Sequence, residues 1–323
     1  MNADVPPSLL TSVAASTDGV SFGAHAAELA RYRDEPPQMP SGAVGKTGYL
    51  QLGFERRNER SILARLDRRV PFLVQRALYW DAGMPQMPCV FIITTSGCVL
   101  QGDRLTLEVD LARGAQAHLT TQAATKIHSM DANYAAQLQT IRAADDSYLE
   151  FLPDTIIPHR QSRFFGETRI SVAASATVIY AEILLSGRKH HHVDERFGYD
   201  LYSSLISVQR PDGAPLFTEK LLIEPRCRPM RQVGVMGPFD VFGNVVVLTP
   251  QRHAERIHDR MAAQVDQEAG IAFGTCRLPN ECGLVFKVLG METQQVKSKI
   301  REFWAVTREV VTGTKMPQEF LWR

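Results

Sequence analysis

Cysteine is scarce in this chain. The five residues Cys89, Cys98, Cys227, Cys276 and Cys282 are odd in number and scattered, which argues against a disulfide framework and for a reducing, cytoplasmic setting. Cys276 and Cys282 have no second pair at zinc-ribbon spacing, and such cysteines commonly pack as small hydrophobes. No apolar run approaches the roughly 18 residues that a membrane helix needs. Met1-Asn2-Ala3-Asp4 carries no positive charge and Pro6-Pro7 interrupts any apolar segment behind it, so a secretory leader is not expected. Charge of one sign is missing as well. A net charge of +1 argues against a nucleic-acid binder and against a surface tuned for anionic membrane. The GxxxxGK[ST] spacing of a phosphate loop is absent, and the candidate strands show none of the regular aromatic spacing of a sugar platform.

What is present is an ordinary globular composition, 44% apolar and 22% charged. Residues 1 to 44 are poor in large apolar groups and rich in Ala, Ser, Pro and Gly, which predicts a flexible tail in which Ala24 to Arg33 could form a short helix. Residues 45–323 then read as a single domain. Leu105 to Leu111 is apolar at every odd position, the period of a half-buried strand. Tyr49 to Phe54, Ser61 to Leu66, Val90 to Thr95, Gln116 to Thr121, Ala135 to Ile141, Phe164 to Val172, Tyr199 to Val208, Pro215 to Ile223, Asn244 to Leu248 and Cys282 to Leu289 are further strand candidates, and Pro71 to Trp80 is extended. Gly114-Ala115-Gln116-Ala117-His118-Leu119 can be laid over Asp146 to Phe151 and over Ser175 to Tyr180, at offsets of 32 and 29 residues. A period near thirty with two strands per copy implies stacked β units around one core. The expected fold is therefore mainly β, a coiled or helical β architecture, with two C-terminal α-helices. One helix is expected from Pro250 to about residue 268, with Thr249 as its cap and Ala254, Ile257, Met261 and Val265 as an apolar set spaced three to four apart. The other runs from Thr293 to Val311, carries Val296, Ile300, Phe303, Trp304, Thr307 and Val311 on one face, and is closed by Gly313.

The stretch around which these elements gather is Thr120-Thr121-Gln122-Ala123-Ala124-Thr125-Lys126. It is preceded by Ser96-Gly97, Gly102-Asp103 and Gly114-Ala115, and followed by Leu152-Pro153, Glu182 and Gly187-Arg188. By itself such a polar corner can simply hydrogen-bond its own backbone, and Asp103 after Gly102 suits a turn cap. Together, however, these motifs resemble the urease accessory protein UreD (UreH) family, and the resemblance extends over roughly residues 45 to 320. Cys98 departs from it, standing where a second small residue is usual, and so does the histidine run after Arg188. The resemblance implies a helical β fold and a non-enzymatic scaffold. Its implied partners are apo-urease, UreF and the GTPase UreG, and its implied mechanism is passage of nickel through an internal channel. No tightly bound cofactor is implied, only transient Ni(II).

Three groups of residues are candidates for that work. Glu150, Asp154 and Glu182 lie at or near the exits of the repeat and are expected in one line with Thr121, Gln122 and Lys126. A carboxylate path would attract a divalent cation and release it again, because hard oxygen ligands hold nickel less tightly than imidazole does. His190 and His192, with Asp194, could form a weak, exposed transfer site or a solvated loop. Phe303 and Trp304, with Phe320 and Trp322, are expected either to contact a partner or to pack on the β body. A β-solenoid carbohydrate-active enzyme with a carboxylate pair is the alternative reading, and a nickel store a weaker one.

Overall fold

A computed structural model of the protein describes residues 22–36 and 45–316. Within them the strands follow in chain order as β1 (Thr47–Arg57), β2 (Arg60–Arg69), β3 (Phe72–Leu73), β4 (Cys89–Thr94), β5 (Arg104–Leu111), β6 (Gln116–Gln122), β7 (Thr125–Ile127), β8 (Ala135–Ala143) and β9 (Tyr148–Phe151). They continue as β10 (Ile156–Pro158), β11 (Arg163–Val172), β12 (Thr177–Leu185), β13 (Leu201–Gln209), β14 (Pro215–Ile223), β15 (Val241–Leu248), β16 (Gln264–Asp266), β17 (Ile271–Arg277) and β18 (Gly283–Gly290). Two helices, α1 (Gln251–His258) and α2 (Thr293–Thr312), come late.

From β4 to β13 the chain passes back and forth between two sheets, with the short strands β7 and β10 following β6 and β9 in the second. One sheet has the order β14-β13-β11-β8-β5-β1-β2, the other β16-β17-β18-β15-β12-β9-β6-β4-β3. Consecutive turns of the coil add parallel neighbours. Gln116 pairs with Tyr148, and Tyr148 with Thr177. In the facing sheet Arg104 pairs with Ala136, and Ala135 with Phe164. These registers repeat the offsets of 32 and 29 read from the sequence, so the faint repeat is the pitch of the coil. The inward rows Leu105, Leu107, Val109 and Leu111 of one sheet and Leu149, Phe151, Val178 and Tyr180 of the other fill the space between them. Such alternation buries one face of each strand by its period of two.

A second apolar layer lies between the outer face of the β12-containing sheet and the two helices. Ile179, Val245, Val247 and Phe286 meet Ile257, Val296, Ile300, Phe303 and Trp304 there. Helix α2 begins where the Gln295 side chain accepts the Glu292 N–H at 3.0 Å. It ends at Gly313, whose φ of 71° suits a residue without a Cβ. On the opposite side of the molecule a short 3-10 turn, Ala27–Tyr32, packs Leu29 and Tyr32 against Phe165 and Leu201.

Three expectations are corrected. Residues 22–36 are not a free tail: Glu28 accepts a 2.6 Å bond from Ser203, and Glu35 pairs with Arg163 at 2.8 Å. The first late helix stops at His258 instead of reaching residue 268. Val265 pairs with Ala272 in a β16–β17 hairpin whose turn is closed by the Ala269 N–H on Asp266 and by Gly270 at φ +65°. A local turn thus wins over the apolar spacing that had suggested a continued helix. Pro71 to Trp80 is not one continuous strand: it contributes the two-residue strand β3 and a bridge between Leu78 and Cys89.

Candidate functional site

The coil leaves a cavity of about 80 Å³ between its sheets. Thr121, Thr125, Asp154, Gln137, Gln139, Tyr180, Glu182 and Tyr202 bring polar groups into its otherwise apolar wall. Glu182 reaches it because β12 alternates: Val178, Tyr180 and Glu182 share the inward face. The Glu182 carboxylate accepts Tyr180 Oη at 2.9 Å and Ser204 Oγ at 3.0 Å on each oxygen. Gln139 Nε2 in turn donates to Tyr180 Oη at 2.9 Å and to Thr168 at 3.0 Å. No cation neutralises Glu182 in this set of contacts. Burial raises its pKa, the hydroxyl donors lower it in part, and the nearby Glu219 charge raises it again. A carboxylate in this position is costly as a bare anion and favours taking up a proton or a cation.

A row of polar side chains leads from Glu182 across the sheet. Glu182 pairs in register with Asn244, and Asn244 with Lys287. Asn244 Nδ2 donates to Glu219 at 2.9 Å, and Glu219 pairs with Lys287 at the surface. At the other end, Thr121 and Asp154 line both the interior cavity and an outer groove of about 720 Å³ that also holds Trp80, Phe91 and Gln122. The Thr120 to Lys126 segment therefore forms the rim of the cavity. Its own bonds are structural: Thr120 Oγ1 donates to Leu152 O at 2.8 Å, and Thr121 Oγ1 accepts the Asp154 N–H at 2.9 Å. Lys126 is exposed beside it. Asp103 is buried and caps a turn, accepting the Leu100 and Lys46 N–H groups at 2.8 Å each. Gly102 before it has φ +76°.

Glu150 does not join Glu182. In the register of β9 with β12, Glu150 pairs with Ile179, so it points outward to α2 while Glu182 points inward. There Arg308 Nε and Nη2 donate to it at 2.7 Å each, Tyr148 Oη at 2.7 Å, and His118 Nδ1 lies at 2.9 Å. Asp81 takes the remaining side of Arg308 at 2.6 Å. Burial alone would raise the Glu150 pKa, but Arg308 and the His118 hydrogen bond hold it well below the usual range. Asp154 sits at the rim and pairs with Lys297 of α2 at 2.8 Å. The expected single line of carboxylates is thus split between two faces.

The other candidates each fall on one of the alternatives left open for them. His190 and His192 are exposed in a turn. His192 Nδ1 accepts the Asp194 N–H at 3.2 Å, and His190 Nε2 lies 4.0 Å from Glu292. Among the described residues no three His, Cys, Asp or Glu side chains are already gathered for a metal ion. Phe303 and Trp304 are buried, at 0% and 1% exposure. Phe303 stacks on Phe286 at 4.5 Å and Trp304 on His118 at 5.3 Å, so neither is offered to a partner in this form. Phe320 and Trp322 lie outside the described residues. The cysteines are free, and Cys276 and Cys227 are exposed.

The family model described as UreD urease accessory protein matches residues 46–323. The chain belongs to the UreD family. The urease accessory protein UreD of Photorhabdus laumondii is 59% identical over 303 residues, covering 94% of each chain. UreD of Yersinia pseudotuberculosis is 55% identical over 303 residues, again covering 94% of each. UreD 2 of Brucella suis is 51% identical over 297 residues, covering 92% of this chain and 98% of that one. Sequence reading of this UreD-family chain missed Tyr180, Ser204 and Gln139 around Glu182, and it missed Arg308. Arg308 follows Trp304 by four positions and so stands on the buried stripe of α2; a charged residue there calls for a buried partner.

Proposed function

We propose that this protein is a non-enzymatic maturation factor of urease. It binds apo-urease together with UreF and UreG in the cytoplasm and assists nickel insertion into the urease active site. The observation that carries the reading is membership of the UreD family over residues 46–323, whose relatives bear the names of accessory proteins and not of carbohydrate-active enzymes. The cavity supports the nickel part. Nickel is cargo here, and Glu182 is the group suited to receive it. An unneutralised carboxylate in a polar pocket gains from a cation, and hydroxyl and carboxylate oxygens release nickel more readily than imidazole or thiolate. Tyr180 and Ser204 orient the carboxylate through its two oxygens. Thr121 and Asp154 form the rim through which a cation would arrive or leave, and the Glu219–Lys287 ion pair closes the opposite end of the polar row. Among the described residues no helix is long and apolar enough to cross a membrane.

The test is co-purification from cells carrying a complete urease operon with a tagged copy of this chain. Urease subunits and UreF are expected with it, and its deletion is expected to leave urease protein nickel-poor. Capture of the chain without urease, combined with fully active urease after deletion, would refute the proposal.

A further inference from the structure

Strand β4 presents Cys89, Phe91 and Ile93 on one face, two residues apart. In its parallel pairing with β6, Cys89 stands beside His118, Phe91 beside Thr120 and Ile93 beside Gln122. Aligned residues of parallel strands point the same way, and His118 lies under Trp304 of α2. The face that α2 covers therefore continues past the helix to Phe91 and Ile93. These two are half-buried, whereas Ile179, Val247 and Phe286 in the layer beneath the helices are fully buried. Trp80 stands edge-on to Phe91, with ring centroids 5.5 Å apart, and is 41% exposed. Two backbone bonds between Leu78 and Cys89, at 2.9 and 2.7 Å, hold the Trp80 segment against β4. Leu78, Trp80, Phe91 and Ile93 make the apolar wall of the outer groove, with Arg76, Gln122 and Asp154 among its polar groups.

The chain leaves α2 beside this groove. Arg308 of α2 grips Asp81 at 2.6 Å, and Asp81 accepts the Gly83 N–H at 3.0 Å. A Cβ on Gly83 would stand 2.8 Å from Lys315 O and 2.9 Å from Thr314 Cγ2, so the loop that carries Trp80 and the chain beyond the helix are in close contact. Met316 then packs against the apolar layer beneath α2. Seven residues follow in the sequence, Pro317-Gln318-Glu319-Phe320-Leu321-Trp322-Arg323. Extended, such a segment spans about 23 Å, whereas the four steps from Cys89 to Ile93 take about 13 Å. Phe320 and Trp322 fall on the same side of an extended segment, and aromatic side chains bury about 150–250 Å² each. The acid Glu319 suits the exposed cation Arg76 at the edge of the groove.

We propose that residues 317–323 dock in this groove, with Phe320 and Trp322 against Trp80, Phe91 and Ile93. The docked segment carries the apolar cover begun by α2 across to β4. It also closes the outer side of the rim, because Thr121 and Asp154 line both this groove and the interior cavity. The proposal stands independently of the maturation reading.

The experiment replaces Trp322 of the full chain with the photo-cross-linking amino acid p-benzoylphenylalanine, irradiates the chain expressed by itself, and maps the products by mass spectrometry. Cross-links within one chain to residues 75–80 and 91–93 are expected. Adding Ile93→Glu should lower their yield by about fivefold or more, because the carboxylate resists burial under the segment. Hydrogen exchange gives an independent reading. Phe320→Ser combined with Trp322→Ser should speed exchange of the amides of residues 91–93 and 122–125 by about tenfold, with those of β11 unchanged. Cross-links to a second copy, to another protein or to a different face of the chain would overturn the proposal, and so would exchange that the double substitution leaves unchanged.

Discussion

Replacing Arg308 by Met should be the most damaging single change to the fold. The guanidinium is wholly buried between two carboxylates, 2.6 Å from Asp81 and 2.7 Å from each oxygen of Glu150, and both acids are equally buried. Methionine fills comparable space but leaves two acids without their cation. Breaking a buried pair in this way costs about 3–5 kcal/mol, a large part of the roughly 5–15 kcal/mol that holds a typical protein together. The loss should show in a urea titration followed by far-UV circular dichroism, as a lower midpoint at an unchanged slope. Adding Glu150→Gln to the Met variant should recover about 1–2 kcal/mol, because the amide removes the stranded charge. The pH dependence has a definite sign. The folded pKa of Glu150 lies below its ordinary value of 4.5, so the stabilisation is present above 4.5 and lost as pH falls from there towards the folded value. The deficit of Arg308→Met should therefore be full at pH 7 and shrink below pH 4.5. A deficit under about 1 kcal/mol at pH 7 would show that the buried cluster is not what fastens α2 to the sheet.

Glu182→Ala should lower the nickel content of urease matured with this chain more than it lowers co-purification with urease; normal nickel content would remove Glu182 from the path. Glu182→Gln should stabilise the isolated fold at neutral pH. Burial raises the carboxyl's pKa above 4.5, so its favourable contribution is present below that value and lost as pH rises through the folded one. Urea midpoints at pH 7 and pH 4 check this, and an equal gain at both would refute it. Phe303→Ala should cost about 3–5 kcal/mol as a cavity in the layer beneath α2. Loss of partner capture with unchanged stability would instead restore Phe303 to a contact surface.

Much of the architecture was legible because the coil is built from local pattern. Period-two runs gave the strands, and the offsets of 32 and 29 residues between Gly114, Asp146 and Ser175 are the registers that stack them. The hairpin of β16 and β17 was hidden because Ala254, Ile257, Met261 and Val265 keep helical spacing across a break. Val265, 71% exposed, belongs to that spacing without being buried by it. The site was harder to read for a reason that lies in the register itself. An offset of 29 is odd, so even-numbered residues of β9 align with odd-numbered residues of β12, and Glu150 stands over Ile179 instead of over an even-numbered neighbour such as Tyr180. In parallel strands aligned residues point the same way, and a one-residue change of alignment sends a side chain to the other face. Two acids at even positions, Glu150 and Glu182, must then part company: one meets Arg308 beneath the helix, the other faces Ser204 across the interior. The parity of the offset was available in the sequence. It separates an acid held by the Arg308 guanidinium from one held only by hydroxyl donors in the contacts described above.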